Sequence, residues 1–136
     1  MTFQTSVAVG NAQLDAFETQ IGTSAVVKIF TGAEPANCAA ADPAGLLVTI
    51  TLPSDWMNAA SGRSKTLLGT WSATASATGT AASFRLYASD GTTCGAQGSV
   101  TFTGSGGDMT IDAVGAAITS GNTVTVTTFT LGGGNA

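Results

Sequence analysis

At Gly22 the chain changes period. Before it, apolar residues follow helical spacing; after it, they alternate with small or polar residues in short runs divided by Gly-rich turns. Nothing else restricts the fold as much, because a period of two buries one face of a strand. The stretch 79–104, GTAASFRLYASDGTTCGAQGSVTFTG, is representative. Two alternating runs flank Asp90-Gly91, a dipeptide suited to a tight hairpin turn.

The same alternation runs through the remainder. In SAVVKIFTG, Val27 and Ile29 share one face and Val26, Lys28 and Phe30 the other. In GLLVTITLP, the alternation predicts Leu46, Val48, Ile50 and Leu52 inside and Leu47 outside, with Pro53 ending the strand. Trp71, Phe84, Leu86, Val100, Phe102, Ile111, Val124 and Val126 complete the expected core, while Met109 and Leu67 are in phase with it. In NTVTVTTFTL the apolar phase slips by one between Val126 and Phe129, which predicts a bulge or a crossing between sheets. Seven or eight strands at this spacing, with one helix, predict an all-β fold, an antiparallel β-sandwich of jelly-roll type.

The helix is predicted over 11–22, NAQLDAFETQIG, with Asn11 as N-cap, Leu14, Phe17 and Ile21 on one face, and Gly22 as the stop. Residues 1–10, with Phe3, Val7 and Val9, read as an extended apolar arm that docks on a neighbour or joins a sheet. Residues 1–22 thus form an arm and helix, and 23–136 the sandwich, within one domain. A short helical turn is expected over 54–62, SDWMNAASG.

Composition narrows the function. Charged residues are 9% of the 136, against roughly a quarter in ordinary proteins. Lys and Arg number 4 and Asp and Glu 8, too few cations for a phosphate-neutralising stripe, so no nucleic-acid partner is expected. An acidic chain without a long apolar run predicts no membrane partner. MTFQTSVAVGNAQLD lacks a basic leader and a sustained apolar stretch, which predicts synthesis in a cytoplasm without a Sec signal peptide. A surface poor in charge and rich in Thr, Ser, Ala and Gly suits a protein held in an assembly, and also a secreted β-protein.

Histidine is absent, which removes the commonest general base and metal ligand. Asp108 and Asp112, four apart in a strand, would lie roughly 13 Å from each other on one face, and read as solvent-facing rather than as a hydrolytic pair. GSGGD lacks the Lys and Ser/Thr of a phosphate loop and reads as a turn. No catalytic residue, cofactor or metal site is expected. Cys38 and Cys94 are either free thiols, the default in a reducing compartment, or bonded to each other in an oxidising one. Arg63 and Lys65 in SGRSK read as a solvated loop, with the anchoring of a neighbour's carboxylate as the functional alternative. Of the aromatics able to stack on a sugar, Trp56 and Trp71 read as structural, and Tyr87 as the best exposed.

Four segments in order, NAQLDAFETQIGTSAVVKIFTGAEPANCAAAD, TLPSDWMNAASG, GTWSATASATGTAASFRLYASDGTTCGAQG and SGNTVTVTTFTLGGGNA, resemble small virion proteins of tailed bacteriophages and prophages. Within these the chain resembles the jelly-roll cement, or head-decoration, proteins. Gly95 stands after Cys94 where the resemblance leads one to expect a bulkier, more polar residue. The resemblance implies a non-catalytic protein on the phage head surface, assembled in the host cytoplasm, with the major capsid protein and copies of itself as partners. Phe3, Val7, Val9, Leu14, Phe17, Arg63, Lys65 and Tyr87 are then the candidate contacts between subunits. A tail or fibre component, and a small carbohydrate-binding module, are the alternative readings.

Overall fold

The structure is a computed structural model that describes residues 3–133. Among these, helix α1 (Val7–Ile21) precedes ten strands: β1 (Val26–Phe30), β2 (Leu46–Thr51), β3 (Ser64–Thr66), β4 (Ser72–Thr74), β5 (Gly79–Thr80), β6 (Ser83–Tyr87), β7 (Cys94–Phe102), β8 (Met109–Ile111), β9 (Ala117–Ile118) and β10 (Thr123–Gly132). The large sheet runs β2-β1-β6-β7-β8-β10-β3, with β4 also on β10. Strands β5 and β9 form a small second sheet. The pairing is antiparallel except between β7 and β8, which run parallel, so the large sheet is mixed. It curls until β4 lies against β2, and Ser76 N–H donates to the carbonyl of Leu47 at 2.8 Å. The fold is all-β and sandwich-like, with one short helix.

Apolar residues from almost every strand meet inside, and an aromatic chain ties the core to α1. Phe17, Trp56, Trp71, Phe129 and Phe84 follow one another with ring centroids 6.1, 5.9, 5.5 and 5.7 Å apart. Such tilted and edge-on pairs add to the burial of the rings themselves. The phase slip in β10 is a register shift between Val126 and Thr128, as the alternation predicts. Asp90 closes the β6–β7 hairpin: its carboxylate accepts from the N–H groups of Thr92 and Thr93 and from the Thr93 hydroxyl. These bonds, the Thr93 hydroxyl first, pull the Asp90 pKa down to about 2.

Several expectations need correction. In β2, Leu46 is 40% exposed and Leu47 only 1%. Ile29 pairs with Val48 but Phe30 with Leu46, so Leu47 is the extra residue of a bulge and turns inward beside Val48. Phe102, the last residue of β7, is 41% exposed although it pairs with buried Ile111 of β8. Residues 54–62 form no helical turn; Met57 bridges to Leu67, and the N–H groups of Trp56 and Met57 donate to Glu18 Oε1, both at 3.0 Å. The helix starts at Val7, which removes part of the supposed extended arm; residues 1–2 of that arm lie outside the described residues. Ser6 is the cap, accepting from Val9 N–H at 3.2 Å, and Asn11 lies inside the helix. Serine caps as well as asparagine does, and packing on the 56–65 segment supports the added turn. Gly22 ends the helix as expected, at φ 95°.

Candidate functional site

The candidate contact residues fall at two places, and at each of them most polar groups are already engaged. The first is where α1 meets residues 56–65. Asn11, Asp15 and Glu18, spaced i, i+4, i+7, form a polar stripe on α1. Asn11 Oδ1 accepts from Arg63 N–H (2.8 Å), Asp15 Oδ1 from Ala60 N–H (2.9 Å), and Glu18 from Trp56 and Met57. Lys65 joins the stripe, with Nζ 2.8 Å from Asp15 Oδ1 and 3.0 Å from Glu18 Oε2. Burial alone would lower the Lys65 pKa, but the bonds to Asp15 and Glu18 outweigh it and raise it. The Lys65 hydrogen bond, followed by that from Ala60, holds the Asp15 carboxyl below its ordinary range.

Arg63 and Lys65 are thus buried rather than part of a solvated loop. The carbonyls of Thr5 and Ser6 and the Thr5 hydroxyl accept from Arg63 Nη1 at 3.1, 3.0 and 2.8 Å. Gly10 makes this approach available: a Cβ there would stand 2.7 Å from Nη1. Leu14 is buried under the same helix and Phe17 half-buried, while Phe3, Val7 and Val9 are exposed.

The second place is the outer face of β6, where residues 31–45 lie across the sheet. Arg85 Nη1 donates to Ala40 O and Asp42 Oδ1, and Nη2 to Asn37 O, each at 2.9 Å, with Gln97 Oε1 at 3.1 Å. The Tyr87 hydroxyl donates to Asp42 Oδ1. Lys28 Nζ donates to Gly91 O and stands 4.8 Å from the Tyr87 ring centroid. Burial first, and then Asp42, push the Tyr87 pKa up to about 12. The Tyr87 bond, with help from Arg85, holds Asp42 low. Tyr87 is therefore 1% exposed, not the outward aromatic that its phase suggests.

A disulfide joins Cys38 in this covering segment to Cys94 at the start of β7, with Cα atoms 5.4 Å apart. Of the two readings left open for these cysteines the bonded one holds, and the default of free thiols does not. Loop and strand are brought together by contacts far apart in sequence, which spacing alone does not reveal. Gly95 has a steric reason to lack a side chain, since a Cβ would meet Ile21 Cγ1 at 2.7 Å and Cδ1 at 2.9 Å. Bulk there would push α1 off the sheet.

Asp108 and Asp112 do not share a strand but flank β8. Asp108 Oδ2 accepts from Ser99 N–H (2.8 Å) and hydroxyl (2.7 Å), which lower its pKa; Asp112 Oδ1 accepts from Thr125 N–H at 2.9 Å. Both carboxylates tie neighbouring strands together. Among the described residues no group of three or more His, Cys, Asp or Glu side chains could hold a metal ion. No described helix is long and apolar enough to cross a membrane.

Residues that the alternation missed include Asn11, Asp15, Glu18 and Arg85. The stripe at 11, 15 and 18 has a signal, polar groups at helical spacing; Arg85 has none, since a polar residue between Phe84 and Leu86 reads as solvent-facing. No family model, curated protein or solved structure matches the chain.

Proposed function

We propose that this chain is a non-catalytic structural protein of a tailed-phage virion, a cement protein that binds the outer head surface and stabilises contacts between major capsid protein subunits. One observation supports it most. Of the six large apolar side chains exposed on the described surface, half belong to the N-terminal segment: Phe3 (80%), Val7 (52%) and Val9 (48%). Apolar groups gathered on a segment that Arg63 fastens to the domain suit a partner surface. The resemblance supplies the partner, and the stapled sheet supplies the rigidity that attachment requires. The carbohydrate reading loses its basis, because Trp56, Trp71 and Tyr87 are all buried and present no face to a sugar.

The test is attachment to purified heads lacking this protein. Deleting residues 2–10 would remove the acceptors of Arg63, so surface substitutions serve better. Val7→Ser with Val9→Ser should leave folding intact and weaken attachment at least tenfold, and heads should then break more readily on heating. Undiminished attachment would move the contact elsewhere on the domain. Binding to tails alone, or a gene among tail genes rather than beside capsid and protease genes, would favour the tail reading.

A further inference from the structure

We infer that the groove beside Arg63 is a binding site for a carboxylate carried next to an apolar side chain of a partner protein. The inference rests on the N-terminal segment being the attachment side. The groove, about 460 Å³, is lined by Phe3, Thr5, Leu14, Phe17, Arg63 and Leu131, with Gly132 and Gly133 at one end.

The four cations are not treated alike. Lys65 pairs with Asp15 and Glu18, Arg85 with Asp42, and Lys28 reaches a carbonyl and an aromatic face. Arg63 alone is buried, at 8% exposed, with no carboxylate beside it among the described residues. Its Nη1 bonds to uncharged oxygens, and its enclosed Nε, like that of Arg85, has no acceptor among the described residues. A buried charge without a counter-charge is costly. Here the cost is compounded, because the guanidinium lies against the first turns of α1, where the unpaired N–H groups carry partial positive charge. Two positive poles therefore meet in a chain whose acids outnumber its bases two to one. An anion from outside completes them.

Lining chemistry narrows that anion. The Arg63 side chain shares the groove with Leu14, Phe17 and Leu131, so a cation stands beside three apolar groups. A guanidinium edge matches a carboxylate, and the apolar walls reward a Leu- or Phe-sized group beside it. A doubly charged phosphate would find one cation and little else. An acidic residue next to a Leu or Phe, or a chain terminus ending in one, meets both requirements.

The probe is the peptide acetyl-Gly-Gly-Leu-Phe with a free terminal carboxylate, set against the same peptide as its amide. Binding to the full chain is followed by calorimetry and by side-chain methyl NMR. The acid should bind at least tenfold more tightly, shift the Leu14 and Leu131 methyls, and lose its advantage in high salt. Arg63→Gln should abolish the difference. Because that change removes a buried anchor, Gln13→Glu is the companion: Gln13 lies exposed on the groove rim, and a carboxylate there should raise the melting temperature and weaken the acid at least tenfold. Equal binding of acid and amide, no binding of either at millimolar concentration, or a Gln13→Glu variant unchanged in both respects would overturn the proposal. Head attachment that survives such a failure, and still falls with Val7→Ser and Val9→Ser, would leave the attachment reading standing without the groove.

Discussion

Two covers lie on the same sheet and are held by different means. Helix α1 satisfies its own backbone, so it needs only side-chain anchors: Asn11, Asp15 and Glu18 on one stripe, and Leu14, Phe17 and Ile21 for packing. Residues 31–45 have no regular structure of their own apart from short turns. Their carbonyls must find donors on the sheet, which Arg85 and Gln97 supply to Asn37, Ala40 and Pro35, and Cys94 adds a covalent tie. An irregular cover makes the strand beneath it donate to backbone carbonyls, whereas buried Lys65 of β3 meets side-chain carboxylates of the helix. That is why β6 is buried at all five positions yet carries Arg85 and Tyr87.

The difference can be broken from the loop side first. Reducing the disulfide, which spans 56 residues of sequence, should lower stability by about 4 kcal/mol on loop-entropy grounds. Urea unfolding with and without reductant measures it, and hydrogen exchange should rise over 31–45 and leave α1 protected. Exchange rising equally in both covers would show that they are not independent.

On the helix side, Glu18→Ala should lower stability by about 3 kcal/mol, since Trp56 and Met57 lose their acceptor and Lys65 keeps only one of its two carboxylates, beside the Asn58 carbonyl. The same urea assay serves, with exchange now rising in α1 and over 54–58. Gly95→Val is milder, about 2 kcal/mol, and acts through displaced Ile21. An unchanged urea midpoint in that variant would mean that the helix end yields freely.

Titration sharpens the contrast with the smallest effects. Asp15 of α1 and Asp42 of the loop both have lowered pKa values, so the stability they contribute is present above the ordinary carboxylate range and lost as pH falls through the depressed values. Acid therefore weakens both covers. Tyr87 is raised instead: its contribution is intact below the ordinary value near 10 and is lost as pH rises through about 12. It is the chain's one tyrosine, so phenolate absorbance reports it alone. Ionisation should come near pH 12 in the native protein and fall toward 10 after Asp42→Ala; an unshifted midpoint in that variant would deny Asp42 its role.

Periodicity and turn chemistry determined much of this molecule. Gly22 as the helix stop, Asp90-Gly91 as a hairpin, the slip in β10, and most of the core from Val48 to Val126 depend on neighbours within a few residues, and short-range rules reach that far. Tertiary structure alone decided the rest. Leu47 turns inward because of a bulge against β1, and Tyr87 and Arg85 are buried by a segment more than forty residues earlier. The SGRSK pair was separated, Lys65 to two carboxylates of α1 and Arg63 to a groove without one among the described residues. Alternation says which side of a strand a residue is on; whether that side meets water depends on which distant segment lies across it, and that is settled only when the chain closes on itself.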